Sequence, residues 1–469
     1  MTSNQNKIPY RSEVIVIGSG FAGLTAAIEC RMKGGQVIVL EKMKAIGGNS
    51  IISDGGIAAP NTPEQELLGI HDSAELMFED MMKSAEGLSD PKITRTICEK
   101  ASDTYQWSKD IVGINYMPRV DIFGGHQVPR CYTPDPFSGS TIILKMREKC
   151  EALGIKILCG VSVLSFIQDE NKSVIGLNVD SNYSLDPDHK KELQQIYASK
   201  GVIVASGGYA ADVAFRRQAH SDINDEIQTT NKRFTSAEVL QACMDINAQT
   251  ANLDLIQWMP WTTNDEIGYG RGGLFGDYIV SSYGILIDSK TGQRFINEQA
   301  NRKELAEKIL HVKDVVGIAD ERSVLASGWD LKSALQKGII KKHESISDLA
   351  DMYTIPKDHL RETLDHYNQT IISKKDEQFN KHIEDWMSSL SAPFYSMRIN
   401  PKTHYSLGGV VTNVDTQVLD HQGQILQGLY AVGEVTGLTH GANRLGSCSV
   451  TECLVMGRIA GKKVIEGVN

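Results

Sequence analysis

The sequence has little that would tie it to nucleic acid or to a membrane. Its 469 residues carry a net charge of −10, and no dense run of lysine and arginine interrupts the acidic balance, which argues against a nucleic-acid footprint. No stretch reaches the ~18 apolar residues that span a bilayer, and the N-terminus has no apolar signal-peptide core. We therefore expect a soluble, cytoplasmic protein with no direct membrane span, an expectation that still allows for a leader removed earlier.

Patterns that bind metal or attach haem are also missing. The eight cysteines form no CxxC pair, no CxxCH site and no zinc-ligand spacing. We expect no metal, and we expect the cysteines to be buried small hydrophobes in a reducing compartment rather than disulfides.

What the sequence does have is a glycine-rich turn between a strand pattern and a helix pattern near its N-terminus. The β-branched run 14–17 suits a buried parallel strand, and Gly18, Gly20 and Gly23 follow it in a GxGxxG arrangement. Gly18 permits a tight turn, Gly20 lets the backbone approach a pyrophosphate, and Gly23 allows close helix packing. The amides at the helix N-terminus supply the attraction for phosphates.

A second strand pattern strengthens this interpretation. The apolar run 36–40 ends in Glu41, and an acid at that point can accept hydrogen bonds from a ribose diol. The alternative is an ordinary strand-to-helix turn. The strand before, the helix after and the acid that ends the second strand together favour a dinucleotide site.

The alternation of strand and helix patterns predicts an α/β protein. Strands are expected at 154–163, 174–179 and 201–208, and the polar segment 182–200 is expected to be a surface excursion. From about Trp258 to Ser396 a glycine-rich loop (268–276) and charged amphipathic helices (303–311 and 357–372) suggest a mostly helical insertion. Sheet patterns return at 408–414, 417–419 and 428–434. We therefore predict a nucleotide-binding domain in two parts, 1–255 and 400–469, around an inserted substrate domain, 256–399.

Five motifs, in the same order, resemble those of the fumarate reductase and succinate dehydrogenase flavoproteins. They are VIGSGFAGLTAA with Glu41 and the glycine pairs 47–48 and 55–56; ASGGY at 205–209; RFINEQANR at 294–302; HYSLGG at 404–409; and GE at 433–434 followed by GANRLG at 441–446. The resemblance covers nearly the whole chain. It implies the cofactor FAD, a doubly wound Rossmann-type FAD-binding domain split in the sequence, and an inserted α+β capping domain.

The resemblance also implies a set of cofactor contacts. They are Gly18, Gly20, Phe21, Ala22, Glu41, Lys42, Gly48, Asn49, Ser50, Gly55, Gly56, Val161, Ala205, Ser206, Gly207, Gly433, Glu434, Arg444, Gly446, Ser449 and Val450. In the membrane-bound members a histidine near the second glycine pair carries the flavin covalently, and Asn49 holds that position here. We therefore expect FAD to be bound without a covalent bond, which removes one device that raises its potential and favours catalysis in the reducing direction.

In this family the chemistry is reduction of a C=C bond beside a carboxylate, which needs a hydride donor, cations for the carboxylate and an acid. Flavin N5 supplies the hydride to the β-carbon. The resemblance assigns the carboxylate to His404 and Arg444; the alternatives are a core histidine and a surface or structural arginine. His404 is expected in a polar turn, and a guanidinium fork suits a planar carboxylate.

Proton delivery to the α-carbon falls, by resemblance, to Arg302, with Asp277 as its relay after one inserted residue is allowed for. Arginine is a poor acid in water, so a clamp is the alternative role for Arg302. Val280 stands where fumarate reductases often have a second relay arginine. Glu298 is expected to cap or orient the helix that begins near Arg302 rather than take part in the chemistry.

The clearest departure from the family lies at 256–261, where an I-Q-x-H-P-T segment is replaced by IQWMPW. Met259 replaces a histidine that meets the second carboxylate, and Met259 cannot donate a hydrogen bond to one. With Trp258 and Trp261 it can form an apolar wall, or these residues can be ordinary core. We expect substrate contacts at Trp258, Met259, Tyr278 and Gly409, and a monocarboxylic enoate such as acrylate, methacrylate, cinnamate or urocanate rather than fumarate.

The sequence does not identify the electron donor, and it allows two rival functions. The sequence has no haem site, no iron–sulfur run and no second dinucleotide fingerprint, so a cytochrome, free reduced flavin or a reductase subunit must donate the electrons. One rival is a dehydrogenase or oxidase of the ketosteroid dehydrogenase or L-aspartate oxidase type. The other is a non-catalytic flavin electron-transfer subunit.

Overall fold

The computed structural model describes residues 9–123, 125–186, 188–219, 223 and 227–467. Its strands are β1 Arg11–Ile17, β2 Val37–Glu41, β3 Ile57–Ala58, β4 Cys131–Tyr132, β5 Lys156–Cys159, β6 Ser162–Gln168, β7 Val174–Asp180, β8 Leu193–Val204, β9 Thr250–Ala251, β10 Ile256–Met259, β11 Ile285–Asp288, β12 Gln293–Arg294, β13 Val315–Asp320, β14 Lys341–His343, β15 Phe394–Ile399, β16 Lys402–Ser406, β17 Gly409–Val410, β18 Gln417–Leu419 and β19 Ile425–Ala431.

Its α-helices are α1 Phe21–Met32, α2 Pro63–Leu67, α3 Ala74–Ala85, α4 Pro91–Trp107, α5 Gly139–Ala152, α6 Val213–Ala219, α7 Glu238–Asp245, α8 Gly272–Leu274, α9 Ser281–Tyr283, α10 Arg302–Val312, α11 Glu321–Ser327, α12 Lys332–Gln336, α13 Ile346–Tyr353, α14 Lys357–Ser373 and α15 Cys448–Glu466. Segments Ser108–Val112 and Phe275–Val280 are π-helical, and segments Ser50–Ile52 and Gly433–Val435 are 3-10 helical.

The chain divides into two compact units. The first comprises Met1–Ile223, Lys232–Ile256 and Tyr405–Asn469, and the second comprises Asn224–Asn231 and Gln257–His404. The first unit therefore takes residues from both ends of the chain, as a split nucleotide-binding fold requires. The domain boundaries expected from the sequence stay predictions.

The first unit is built on a mainly parallel sheet in the order β18-β19-β8-β1-β2-β5. β1 pairs in parallel with both β2 and β8, β2 with β5, and β19 with β8. The run Val14–Ile17 is almost completely buried, as expected for a central parallel strand covered on both faces. β7 and β6 extend the sheet from β8 as antiparallel strands. The predicted α/β class with a parallel sheet is confirmed.

Small residues let the first and last helices of this unit approach each other closely. A Cβ atom at Gly457 of α15 would stand 2.8 Å from the Ala22 carbonyl oxygen of α1, and one at Gly461 would stand 2.3 Å from the Ala26 carbonyl oxygen. Because residues four apart share one helix face, these two glycines and two alanines form one contact. A helix from the N-terminal part of the sequence and one from the C-terminal part are thereby packed into one core.

The second unit contains a five-stranded antiparallel sheet in the order β12-β11-β13-β15-β14. Side chains alternate along β13: Val315 and Ala319 join one apolar cluster, with Leu305 and Ile309 of α10. Val316 and Ile318 join another, with helices α13 and α14. The sheet is therefore covered on both faces, which matches the α+β capping domain that the resemblance implies.

Two expectations about local structure are wrong, and a third is incomplete. Helical residues outnumber strand residues in the insertion, as expected, but the insertion also contains a sheet. Its strands β11, β13 and β15 are four to six residues long and too short to stand out beside amphipathic helices. Part of the predicted surface excursion belongs to β8, whose first half is polar because only alternate residues such as Ile196 and Ala198 are buried. Residues 272–276 of the expected glycine-rich loop are helical. The helices expected at 303–311 and 357–372 are confirmed as α10 and α14.

All eight cysteines are free thiols, and six of them are buried, namely Cys30, Cys98, Cys131, Cys150, Cys243 and Cys448. Cys159 is exposed, contrary to the expectation of general burial. Among the described residues, no helix combines the length and the apolar character needed to cross a bilayer.

A buried ionic cluster ties the C-terminal part of the second unit to the segment that precedes α10. Glu298 Oε2 lies 2.8 Å from Arg294 Nη2 and 3.3 Å from Lys381 Nζ, and Asp376 Oδ2 lies 3.0 Å from Arg294 Nη2. Burial alone would raise the pKa of Glu298, but Lys381 and Arg294 hold that pKa below its ordinary value. The helix cap is Asn301, which accepts a hydrogen bond from the Glu304 amide, so Glu298 does not cap α10 as expected.

We predict that this cluster is a major source of stability for the second unit. Lys381→Met leaves the buried Glu298 short of one cation, and breaking a buried pair costs about 3 to 5 kcal/mol. The control is Lys375→Met, which removes an exposed pair with Glu377. Thermal unfolding of the flavin-loaded protein should show a clear loss for Lys381→Met and no measurable change for Lys375→Met. Equal effects of the two substitutions would contradict the role of burial.

Candidate active site

The glycine turn after β1 brings three backbone segments into direct contact. Gly18 has φ of +102°, and a Cβ atom there would stand 2.2 Å from the Ala205 carbonyl oxygen; a Cβ atom at Gly23 would stand 2.0 Å from the Gly18 carbonyl oxygen. No other residue fits either position without moving backbone. The ends of β1 and β8 and the first turn of α1 therefore pack backbone against backbone, because Gly18 and Gly23 have no side chains to separate them.

The first turn of α1 suits a phosphate group. Its N-cap is Gly20, which provides no capping side chain, and the first turn contains no acidic residue. The Phe21 amide donates to Ser50 Oγ at 3.1 Å, which brings the expected contact Ser50 to the helix N-terminus. Backbone amides and the helix dipole supply the attraction for an anion at such a turn.

The second strand ends in Glu41, whose carboxylate has a defined place. It accepts hydrogen bonds from the Ser19 amide and hydroxyl and from the Met43 amide. A carboxylate offers about four acceptor positions, so one remains for a ribose hydroxyl. The Val161 amide bonds to the Glu41 carbonyl oxygen at 3.0 Å, which places Val161 beside this strand end. Lys42 turns instead to Ser236 and Glu238 of the segment that begins α7.

Two of the expected cofactor contacts border open space. At Gly48 and Gly207 no heavy atom of the described structure, apart from the glycine and its two chain neighbours, lies within 4 Å of the point where a Cβ atom would stand. Asn49, next to Gly48, accepts hydrogen bonds from the Lys232 amide at 2.9 Å and the Thr235 hydroxyl at 3.3 Å. The glycine cradle, the helix N-terminus and the strand-end acid together fit a dinucleotide.

Buried carboxylates organise the turn after β19. Glu434 Oε1 accepts hydrogen bonds from the Ser406 amide at 2.8 Å and hydroxyl at 3.0 Å, and the Tyr209 amide donates to the same hydroxyl. Burial raises the pKa of Glu434 to about 7. Glu452 accepts from the Gly433 amide at 3.0 Å, and burial raises its pKa to about 7 as well.

Sequence reasoning missed Ser406 and Glu452. Ser406 lies two residues after His404 in the motif HYSLGG, where the family resemblance assigns a role to the histidine. Glu452 is the lone acid in the apolar first half of α15, and an acid among buried apolar residues was the signal that could have identified it.

The other expected contacts near this helix lie at its start. Ser449 and Val450 lie in the first turn of α15, and that turn contains no acidic residue. Gly446 lies just before the helix, and a Cβ atom there would stand 2.9 Å from Phe123 Cβ. At the other glycine pair, a Cβ atom at Gly55 would stand 3.0 Å from the Gly139 Cα atom, and one at Gly56 would stand 2.8 Å from Ser447 Oγ.

Arg444 is a buried cation in the first unit. Its guanidinium carbon lies 5.1 Å from the centre of the Tyr405 ring, and Nη1 donates to the Leu445 carbonyl oxygen at 3.0 Å. The edge of the His440 ring faces the same tyrosine at 5.8 Å between ring centres. An aromatic face stabilises a cation that has left water. Only 7% of Arg444 is exposed, so it is not a surface arginine.

Arg302 and Asp277 form an ion pair in the second unit. Arg302 Nη2 lies 3.4 Å from Asp277 Oδ2, and both side chains keep about a fifth to a quarter of their surface in contact with solvent (26% and 19%). Arg302 is the first residue of α10, where the positive end of the helix dipole opposes a cation. The Asp277 carboxylate compensates for that position.

Asp277 and Tyr278 lie in the π-helical segment Phe275–Val280, which interrupts the helix between α8 and α9. A π turn contains one residue more than an α turn, and such turns occur often at functional sites. The match of Asp277 to a relay acid of the family allows for one inserted residue. The Tyr278 ring lies 5.0 Å from that of Trp329.

His404 lies on strand β16 and not in a polar turn, so that expectation is wrong. Its Nδ1 atom is 2.7 Å from the Thr230 hydroxyl, and its carbonyl oxygen accepts a hydrogen bond from Asn231 Nδ2 at 2.7 Å. Thr403, Tyr405 and Ser406 are the polar neighbours that suggested a turn. They lie on a short strand outside the two large sheets, and part of that strand pairs with an irregular segment, as Thr403 does with Thr229.

The residues at 256–261 and Val280 are mostly buried. Trp261 and Val280 belong to the apolar cluster around α10, so Trp261 is core, and a relay arginine at 280 would place a charge among apolar side chains. Met259 is 3% exposed, and Trp258 is half-buried. In the first unit a Cβ atom at Gly409 would stand 2.0 Å from the Val435 carbonyl oxygen. Contact of Trp258, Met259, Tyr278 and Gly409 with substrate stays a prediction.

Comparisons with known proteins place these features in context. The family model described as FAD binding domain matches residues 13–450. The acrylate reductase flavoprotein subunit of Shewanella woodyi is 34% identical, with 99% of this chain and 94% of that protein covered, and the urocanate reductase of Eggerthella lenta is 30% identical, with 96% and 74% covered. The open conformation of a flavocytochrome c3 fumarate reductase has a TM-score of 0.80 at 27% identity, with 97% of this chain and 78% of that chain covered.

We predict that Gly18→Ala abolishes flavin binding, because its methyl group would overlap the Ala205 carbonyl oxygen. Gly34→Ala is the matched control: its φ is also positive, at +87°, but nothing lies within 4 Å of the new methyl group. The ratio of flavin to protein absorbance in the purified proteins should fall at least tenfold for Gly18→Ala and stay at the wild-type value for Gly34→Ala. Full flavin occupancy in Gly18→Ala would contradict the contact.

Proposed function

The chain belongs to the FAD-binding domain family, with FAD as its cofactor, and from that premise we propose that it reduces the C=C bond of an α,β-unsaturated monocarboxylate. Two relatives of this chain are named for acrylate and urocanate reduction, and both compounds are monocarboxylic enoates. The observation that carries the proposal is the burial of Met259, which is 3% exposed. The family resemblance implies a histidine for the second carboxylate at this position, and methionine has no hydrogen-bond donor to offer.

Each step of the reduction has a candidate residue. Bound FAD supplies a hydride, that is two electrons and one proton, at flavin N5. His404 and Arg444 hold the substrate carboxylate and thereby orient the double bond for transfer of the hydride to the β-carbon. Arg302 then delivers the second proton to the α-carbon.

The ion pair between Arg302 and Asp277 supports this proton route. A neutral arginine left after proton transfer is a strong base, and a neighbouring acid at 3.4 Å is positioned to return a proton to it. Partial exposure of both side chains gives Asp277 access to solvent protons. Val280 stands where fumarate reductases often have a second relay arginine. We therefore assign the whole relay to Asp277.

Selectivity follows from the cost of an unpaired charge. A dicarboxylate such as fumarate would place its second carboxylate beside Met259, and a buried charge without its partner costs about 2 to 5 kcal/mol. That cost corresponds to roughly 30-fold to a few thousandfold in affinity. An apolar or aromatic substituent at the same point carries no such cost.

Electrons reach the flavin, in this proposal, from a separate protein or small molecule. A cytochrome, a reductase subunit and free reduced flavin are the candidate donors.

A panel of enoates tests the proposed substrate class. With reduced viologen as donor, we predict that kcat/KM for acrylate, methacrylate, cinnamate or urocanate exceeds that for fumarate by at least tenfold. Met259→His should raise kcat/KM for fumarate, because an imidazole can meet the second carboxylate, and should not improve the best monocarboxylate. The proposal fails if fumarate is clearly the best substrate of the wild type. It also fails if the protein oxidises L-aspartate, with release of ammonia and consumption of oxygen, but reduces no enoate.

The role of Arg302 has its own test. We predict that Arg302→Ala lowers kcat at least 100-fold, in the range expected for loss of a general acid, with flavin content unchanged. Arg361→Ala, which removes an exposed arginine of α14 in the same unit, should keep wild-type kcat. Activity of Arg302→Ala within a few fold of the wild type would assign the proton to another group.

A further inference from the structure

The short segment Thr229–Asn231 lies alongside strand β16 at His404. The Thr230 amide donates to the Thr403 carbonyl oxygen at 2.9 Å, and the Thr229 hydroxyl donates to the same oxygen at 3.1 Å. Asn231 Nδ2 donates both to the Thr229 hydroxyl, at 3.2 Å, and to the His404 carbonyl oxygen, at 2.7 Å. The backbone of His404 is thus held by residues more than 170 positions earlier in the chain.

Thr230 bonds to the imidazole ring of His404. Its hydroxyl lies 2.7 Å from His404 Nδ1, and Thr230 is 4% exposed. Among the residues that the structure describes, the other acceptor for this hydroxyl is the Thr403 carbonyl oxygen, at 3.5 Å, which is the limit of a hydrogen bond. The hydroxyl proton therefore has one good acceptor, the Nδ1 lone pair.

A hydroxyl that donates to Nδ1 fixes the tautomer of a neutral imidazole, because the ring proton must then reside on Nε2. If the ring becomes charged, Nδ1 donates to the hydroxyl instead, and the hydroxyl proton turns to the Thr403 carbonyl oxygen. In both states Nε2 carries a proton. The disfavoured state is the one with a lone pair on Nε2, which would repel a carboxylate.

We propose that Thr230 is a positioning residue that keeps the proton of His404 on Nε2 and thereby sets the affinity of the enzyme for the substrate carboxylate. This inference rests on the proposed function, in which His404 binds that carboxylate. It assigns a role in substrate binding to a residue outside the motifs that carry the family resemblance, on a segment that meets His404 only in the folded chain.

The substitution Thr230→Val removes the hydroxyl and keeps the branched shape of the side chain. With acrylate as the enoate, we expect KM to rise about tenfold and kcat to stay within twofold, because the carboxylate is bound equally in the ground state and the transition state. Thr230→Ser should restore the KM of the wild type. The matched control is Thr370→Val. Thr370 is equally buried, in the same unit, and its hydroxyl donates to the His366 carbonyl oxygen of its own helix.

Nitrogen NMR of enzyme labelled with 15N-histidine reads the tautomer directly, with His404→Ala used to assign the signal. We expect a neutral His404 in the wild type and in Thr230→Ser to carry its proton on Nε2, and in Thr230→Val to show a substantial Nδ1-protonated fraction. An unchanged tautomer, or an unchanged KM, in Thr230→Val would overturn the inference.

The two levels of proposal fail in different ways. If His404→Ala leaves the KM for acrylate unchanged, the assignment of His404 to the carboxylate is wrong, whereas the NMR result still decides whether Thr230 sets the tautomer. If His404→Ala raises KM and Thr230→Val does not, only the role of Thr230 falls. In the His404→Ala background, Thr230→Val should have no further effect on KM, since the two side chains act as one unit.

Discussion

The first unit depends on direct backbone contact at Gly18. A Cβ atom at Gly18 would overlap the Ala205 carbonyl oxygen, and a Cβ atom at Gly23 would overlap the Gly18 carbonyl oxygen. Because β1 and β8 are parallel neighbours, this contact aligns the carboxyl ends of both strands with the N-terminus of α1. β19 joins the same edge in parallel and brings Gly433 and Glu434 with it. A ligand site at the carboxyl end of a parallel sheet follows from this geometry.

The parts of the site that could be predicted from sequence are those that depend on short-range patterns. A glycine turn with a strand before it and a helix after it is visible in a dozen residues, and so is the acid that ends β2. The bond between Thr230 and His404 could not be predicted, since it joins residues 174 positions apart and threonine before a loop has no distinctive pattern. The strands of the second unit were missed for a different reason: their alternation is brief, whereas charged helices such as α14 extend over 17 residues.

The proposed chemistry divides the charged groups between the two units. Arg444 belongs to the first unit, on the face of Tyr405, and Arg302, Asp277 and His404 belong to the second. Each of these groups is supported within its own unit: Arg444 by an aromatic ring, Arg302 by a carboxylate and His404 by a hydroxyl. In the same proposal, substrate selectivity rests on the apolar side chain of Met259. A methionine in place of a hydrogen-bond donor would leave binding of one carboxylate intact and make a second one costly.

The π-helical segment at Phe275–Val280 has an implication for how substrate preference can change among relatives. Phe275 and Val280, at its two ends, both lie in the apolar cluster, whereas Asp277 and Tyr278 between them are only partly buried. A π turn contains one residue more than an α turn, so loss of one residue here would turn Asp277 and Tyr278 by about 100° around the helix axis relative to the buried side chains. If these two side chains meet the substrate as proposed, a one-codon deletion at this point would change the groups presented to it.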